Sequence, residues 1–332
     1  LAFDIMGTLC FGSPFGCLDN ASSTEWSTSV INVFVSATYT QAIRRLTGVG
    51  TYLEALFIRL LVPAKAAAWR KTHLNNSRDK TLRRLADPQR DHTDFIYQIL
   101  KRDEAKGALT ETEIVLNMGL FISAGTDTTA TALTGWTYYI CTHPQAYTRL
   151  VAEIRSAFAN EDEITWAKVK ELRFLEATLN EALRLFAPSP ASQQRIVPHG
   201  GAVVDGYVLP AGTTVAVSPW SSTHSHLNFH DPDGFHPERW LQDECSKEFA
   251  NDRLDASVPF GNGPRVCIGR NLAYMEMRLI AAHLLWEFDL SLDRGRYEGA
   301  NEVWGFGRRM NVMKVYHSMT KPALWVRLEK RM

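Results

Sequence analysis

The stretch FGNGPRVCIG, residues 260–269, places a phenylalanine, two spaced glycines, a proline and an arginine ahead of one cysteine, with an apolar helical run behind it. For the lone cysteine of such a loop, a disulfide, a zinc site, a nucleophile and a haem ligand are all open. The chain's cysteines are Cys10, Cys17, Cys141, Cys245 and Cys267, an odd number, scattered and without a CxxC. That usage fits a reducing compartment and not a disulfide scaffold. Zinc would need further thiol or imidazole ligands at finger-like spacing, and the loop supplies none. A papain-like nucleophile stays open on spacing, because its His could come from anywhere in the fold.

Composition narrows the class. The chain is 45% hydrophobic and 22% charged with a formal net charge of zero, so neither a polyanion partner nor nucleic acid is indicated. A length of 332 residues admits two average domains or one large one. The opening LAFDIMGTLCFGSPFGCLDN (residues 1–20) has no Met start, no basic segment and no unbroken apolar run. It reads as the interior of a domain, neither signal peptide nor anchor.

Residues 24–60 carry apolar side chains at mixed helical spacing, broken near Gly48-Val49-Gly50. Pro63 opens a helix that turns polar through Arg84 and stops at Asp87-Pro88, and residues 94–105 read as a shorter amphipathic helix. The longest helix is expected over about 111–142, with Thr110 and Glu113 as its capping box and His143-Pro144 as its stop. About thirty residues at 1.5 Å each make about 45 Å, enough to cross a domain. A membrane span is the rival for so apolar a helix, but Asn117 and Asp127 lie inside it. A buried acid costs about 2.5–3.5 kcal/mol at a bilayer centre, so a central core helix is expected.

The middle of that helix, AGTDTT (124–129), is poor helix-forming sequence. Ala124 and Gly125 would let something bulky approach the backbone, while Asp127 and Thr128 would offer a carboxylate and a hydroxyl, the makings of a proton relay. Residues 172–186 form another helix with Glu181 and Arg184 on one face. Such pairs are usually weak surface bridges, yet Leu183, Leu185 and Phe186 crowd this one, and a buried pair needs further partners to offset desolvation. From Arg195 onward, alternating Val203-Val204, Tyr207-Val208-Leu209 and residues 213–217 read as short strands among turns. A loop with Pro237-Glu238-Arg239-Trp240 follows, then a helix after Cys267, then strands and turns over about 288–328. The expected class is mainly α with small β-sheets.

In order along the chain, AGTDTT, EALR (181–184), PERW (237–240) and FGNGPRVCIG together resemble the cytochrome P-450 superfamily of haem-thiolate monooxygenases. The cysteine loop fits the family pattern Phe-x-x-Gly-x-Arg-x-Cys-x-Gly at every fixed position. The likeness spans residues 1–332 as a single domain, with the opening similar to the middle of family members. It therefore implies that roughly a third of the protein, including a membrane anchor, lies upstream.

The resemblance implies Cys267 as the axial thiolate ligand of haem iron, whose electron donation favours O–O cleavage and whose charge the following helix's N-terminus would favour. It implies Phe260, Gly261, Gly263 and Gly269 around the macrocycle, with glycines admitting close backbone approach. Arg265 and Arg195 would pair with propionates, and Ala124 and Gly125 would lie beside the cofactor. Glu181, Arg184 and Arg239 would form a structural charge network, Arg239 being the partner that the buried pair needs. Asp127 and Thr128 would deliver protons. Phe121, Ile122, Ala191, Ser192, Ser318 and Met319 are candidates for the substrate pocket, with plain core as the competing reading.

The implied reaction inserts one oxygen atom from O2 into a C–H bond of a hydrophobic small molecule. Electrons would come from NADPH through a separate NADPH-cytochrome P-450 reductase, since no nucleotide-binding glycine pattern is present. The implied location is the cytosolic face of the endoplasmic reticulum membrane. FDIMGTLCFGSPFGCLDN (3–20), RNLAYMEMRLIAAHLLWEFDL (270–290) and TKPALWVRL (320–328) resemble microsomal fungal members of secondary metabolism, including trichothecene-type (isotrichodermin) hydroxylases. The competing readings are a fragment that does not hold haem, and haem-thiolate isomerase or dehydratase chemistry without O2.

Overall fold

A computed structural model describes residues 1–88, 93–103, 109–293, 295, 304 and 313–331. It divides into two compact units, Leu1–Ala130 and Thr131–Met332.

The first unit is helical: α1 (Ala2–Phe11), α2 (Glu25–Thr47), α3 (Tyr52–Leu61), α4 (Ala64–Ala86), α5 (Phe95–Asp103) and the first part of α6 (Glu111–Thr142). The expected break near Gly48 and Gly50 separates α2 from α3, both glycines taking positive φ values that residues with a Cβ rarely adopt. Expected bounds for α5 ran to Ala105; Glu104 and Ala105 lie outside the described residues. The capping box at α6 forms as its sequence requires, with Glu113 N–H donating to Thr110 Oγ1 at 3.3 Å and Thr110 N–H to Glu113 Oε2 at 2.8 Å. Among the described residues no helix is long and apolar enough to cross a membrane.

Helix α1 has no counterpart in the sequence reading, and what fixes it is a polar group inside. The buried Asp4 carboxylate accepts N–H bonds from Phe15 (3.0 Å), Cys17 (3.1 Å) and Leu18 (2.7 Å), folding the following loop back over the helix. Burial pushes this carboxyl up, and the three N–H donors outweigh it, so its pKa sits below the usual value. Between α4 and α6, the buried His73 accepts from Trp26 Nε1 at its Nδ1 (3.2 Å), so Nε2 carries the proton and donates to the Gly119 carbonyl (3.0 Å). By contrast α3 and its approach leave large apolar side chains in solvent: Leu46 is 88% exposed, Tyr52 94%, and Val49, Leu53, Leu56, Leu60 and Leu61 are also exposed.

The second unit continues α6 and adds α7 (Pro144–Ala157), α8 (Trp166–Val169) and α9 (Arg173–Leu185). Four short strands follow, β1 (Arg195–Ile196), β2 (Ala202–Val204), β3 (Tyr207–Leu209) and β4 (Thr214–Val215), with β1 pairing β4 and β2 pairing β3, both antiparallel. Next come α10 (Pro219–Thr223), a 3-10 turn at Pro237–Trp240, α11 (Arg270–Glu287) and β5 (Phe288–Leu292). Strands β6 (Val315–Tyr316) and β7 (Ser318–Met319) form a minimal hairpin, and β8 (Val326–Lys330) pairs with β5. This is the mainly α class with small sheets. Its core is Trp136, Leu150, Ile154, Leu175, Leu179, Leu185, Ala281 and Leu285, contributed by α6, α7, α9 and α11. At Gly135 the backbone of α6 admits the Phe186 ring, for a Cβ there would lie 2.5 Å from Phe186 Cδ1.

Candidate functional site

The cysteine loop is shaped by its glycines and closed by one backbone bond. Gly261 and Gly263 both adopt left-handed φ values, 73° and 72°, which residues with a Cβ rarely adopt. Cys267 N–H donates to the Phe260 carbonyl at 2.8 Å, and the Cys267 carbonyl accepts from Arg270 N–H at 3.3 Å, joining the loop to α11. Gly269, the residue before α11, has an ordinary φ of −84°. A Cβ there would meet Cys267 Sγ at 3.8 Å, an ordinary contact. Among the described residues nothing demands glycine at 269, whereas 261 and 263 are demanded by the turn itself, independently of any close approach.

The loop presents a free, exposed thiol flanked by exposed apolar side chains, Val266 and Ile268, the latter 90% exposed. Phe260 packs behind it on Tyr274, ring centroids 5.2 Å apart, and the Tyr274 hydroxyl donates to Asn180 Oδ1 on α9 at 2.7 Å. Gly261 faces the segment after α9, for its Cβ position lies 3.5 Å from Gln193 Oε1. Arg265 and Arg195 are both exposed, and Arg195 Nη1 donates to the Gln194 carbonyl at 3.0 Å. Ala191 is half-buried and Ser192 exposed. Ser318 and Met319 are buried, with Met319 N–H on the Pro188 carbonyl at 3.0 Å.

On α6 the residues separate by face, because neighbours in a helix point about 100° apart. Asp127 is buried, whereas Thr128 is half-buried on the same open row as Ala124, Leu120 and Leu116. The Thr128 hydroxyl donates to the Ala124 carbonyl at 2.6 Å. Ile122 is fully buried within the first unit. The bulky group beside Gly125 is the chain's own Met6, whose sulfur would overlap a Cβ at that position. Phe121 packs edge-on against Phe95, ring centroids 5.9 Å apart.

The charge network is assembled as the desolvation argument requires. Glu181, Arg184 and Arg239 side chains are all 0% exposed. Arg184 grips Glu181 with both Nε (2.9 Å) and Nη2 (2.8 Å), and Arg239 Nε donates to Glu181 Oε1 at 3.0 Å. Trp240 Nε1 and His236 N–H add two more donors, at 2.8 Å and 3.0 Å. Burial pushes the Glu181 carboxyl up, and the two guanidiniums with the His236 N–H outweigh this and hold it below its usual value. The surplus positive charge is met by the buried Asp252 carboxylate on Arg239 Nη1. Carbonyls of Thr223, Pro232 and Gly234 take the remaining Arg184 donors at 2.6–2.9 Å. Two acids and two bases thus cancel inside.

Sequence reasoning missed Asp252, Trp240 Nε1 and the carbonyl-lined loop. The adjacency of Trp240 to Arg239 was a usable signal; Asp252, 71 positions beyond Glu181, carried none. Among the described residues no group of three His, Cys, Asp or Glu side chains could hold a metal ion, so Cys267 has no zinc-type partners there.

A helical fold that offers one exposed thiol from a glycine-shaped loop next to the start of α11, with a buried Glu–Arg–Arg network in the same unit, is the arrangement that the haem-thiolate resemblance implies. The Cytochrome P450 family model matches residues 1–311, and the chain belongs to that family. It is 59% identical over 329 residues to the cytochrome P450 monooxygenase aba2 of Botryotinia fuckeliana (strain B05.10), covering 99% of this chain and 62% of that protein. It is 40% identical to the cytochrome P450 monooxygenase astJ of Aspergillus oryzae, covering 100% of this chain and 63% of that protein. The crystal structure of the cytochrome P450DA heme domain superposes with a TM-score of 0.74 at 20% identity, over 99% of this chain and 66% of that one, a likeness of fold. The chain thus spans somewhat less than two thirds of the length of these relatives.

Haem is the group this family implies, and the second unit's residues fit it. The free thiol, the uncovered Val266 and Ile268 around it and the two exposed arginines match an apolar macrocycle with an iron to ligate and two carboxylates to neutralise. A Cβ on Gly263 would meet no described residue within 4 Å.

Proposed function

We propose that this protein is a haem-thiolate monooxygenase that inserts one atom of O2 into a C–H bond of a hydrophobic small molecule, a terpenoid or polyketide of fungal secondary metabolism. The trichothecene-type resemblance is the narrower form of this reading. The observation that carries it is Cys267, the exposed thiol in a loop whose other side chains fit a macrocycle. Residues 1–332 form part of one such domain, whose two units share α6. Electrons come from NADPH through a separate reductase.

Haem, when bound, supplies the oxygen-activating chemistry. Cys267 ligates its iron; Arg265 and Arg195 neutralise its carboxylates. Phe260 excludes water behind the sulfur, held against Tyr274. The hydroxyl of Thr128, already donating to the Ala124 carbonyl, keeps its lone pairs free to accept from a water on the open row of α6. Asp127 replenishes that water's proton from the buried side. In the second unit, Ala191, Ser318 and Met319 border the substrate.

Thr128→Ala is the test. NADPH should be consumed at a near-normal rate while product per NADPH falls about tenfold or more and peroxide appears, as expected when a positioned proton-transfer group is lost. Normal coupling in that variant would weaken the assignment of Thr128 to the proton path, whereas product formed without consumption of NADPH or O2 would favour isomerase or dehydratase chemistry.

We place the protein at the cytosolic face of the endoplasmic reticulum membrane. Support comes from α3, whose exposed apolar side chains are flanked by exposed Arg45, Arg59 and Lys65, the composition of a surface that dips into an interface. Co-flotation with phosphatidylcholine vesicles should drop several-fold in a Leu53→Asp, Leu60→Asp double variant with its haem spectrum unchanged. Unaltered flotation removes α3 from the membrane contact.

A further inference from the structure

The β6–β7 hairpin cannot hold itself. Each strand has two residues, far below what an isolated hairpin needs. His317, between them, sits at a left-handed φ of 65°, a conformation that persists in a residue with a side chain only where surroundings enforce it. Two anchors from one neighbouring segment do so. The Ser189 hydroxyl donates to the His317 carbonyl at 2.9 Å, and Met319 N–H donates to the Pro188 carbonyl at 3.0 Å. These tie the hairpin to the segment that follows α9.

A further tie is of another kind. Lys321, two residues past β7, turns its ammonium inward and donates to Thr131 Oγ1 on α6 at 2.6 Å, across 190 positions of sequence. Thr131 is 0% exposed. An ammonium directed at a hydroxyl out of reach of solvent forms a short charge-assisted bond, and its strong hydration makes it an unusual choice where an apolar contact would suffice. The neighbouring Lys314 stays exposed and takes part through its backbone, its carbonyl accepting from Thr320 N–H at 2.8 Å.

We propose that Lys321 is a positioning residue that locks the β6–β7 hairpin to α6 through Thr131 and thereby sets the specificity of the pocket that Ser318 and Met319 border. The lock stands on the hydrogen bonds alone; its effect on specificity rests on the substrate-side reading of Ser318 and Met319 given above. The lysine acts through the hairpin's position and touches no reacting atom. Lys321→Arg keeps a donor and should retain the lock; Lys321→Met and Thr131→Val each remove it.

The test uses the haem-loaded complete gene product and two readouts. In Lys321→Met and in Thr131→Val, amide exchange at Met319 and Thr320 should rise about tenfold, as for loss of one charge-assisted bond. The double variant should rise no further, because both changes remove one interaction, and Lys321→Arg should stay near the wild type. Lys314→Met serves as the unaffected control. For specificity, spectral dissociation constants are measured for imidazole and 4-phenylimidazole. The bulky probe should shift about tenfold in the unlocked variants and the small one should not. Unchanged exchange, or additive effects in the double variant, overturns the lock. Raised exchange with both probes unmoved keeps the lock, and overturns instead the specificity role and the substrate-side placement of Ser318 and Met319.

Discussion

Cys267→Ser is expected to leave the chain folded and to abolish the reaction. The side chain is exposed at the loop's surface, and the loop's shape comes from elsewhere: the left-handed Gly261 and Gly263 and the backbone bond from Cys267 N–H to the Phe260 carbonyl. A serine keeps that bond. What it lacks is a polarisable, electron-donating sulfur, the property that lets an axial ligand promote O–O cleavage. Substrate turnover should fall by about a thousandfold or more, ~4 kcal/mol of barrier. In the reduced, CO-bound protein the red-shifted Soret band of a thiolate site should vanish. Circular dichroism and the thermal midpoint should stay within a few degrees of wild type. A retained red-shifted band would mean that another group ligates the iron, and would sink the assignment of Cys267. An absent band in the wild-type chain would favour the reading of a fragment that does not hold haem.

Glu181→Gln should do the reverse, removing the fold without touching the candidate chemistry. The carboxylate receives two bonds from Arg184, one from Arg239, one from Trp240 and one from the His236 backbone. Without its charge, Arg184 and Arg239 stay buried against Asp252 alone. Breaking a buried pair by removing one partner costs about 3–5 kcal/mol, against a total stability of about 5–15 kcal/mol. A large drop in the urea midpoint, or recovery only as aggregate, is expected. Arg173→Ala, which loses an exposed bridge to Asp243, should cost under about 1 kcal/mol. Equal effects of the two variants would show that the network is not structural. The pH dependence carries the same sign. The folded-state pKa of Glu181 lies below its usual value, so the unfolded chain binds the proton first. The contribution is full above about pH 4.3, the unfolded value, and is lost as pH falls toward the folded one. In Glu181→Gln that acid-side loss should flatten.

The two predictions separate what kind of statement each motif makes. EALR and PERW concern burial, and their residues meet inside the second unit. FGNGPRVCIG concerns presentation, and its cysteine stands outside. The helix AGTDTT divides between the two: Asp127 and Gly125 turn inward, Gly125 against Met6, while Ala124 and Thr128 lie on the open row. Spacing three or four apart fixes which residues share a face, but not which face is covered.

The sequence by itself determined the class, the long helix over 111–142 with both its ends, the pairing of Glu181 with Arg184 and that pair's need for further partners, which the family resemblance named as Arg239. Each is local, or follows from a charge that low-dielectric surroundings do not tolerate alone. Only the tertiary structure decided the rest. Ile122 is buried, Met6 packs on Gly125, Asp252 completed the charge balance, Asp4 stapled a loop that had no periodic signal, and Lys321 reached Thr131. These outcomes depend on contacts between positions far apart in the chain, and long-range packing is the part of the free energy that no local pattern encodes.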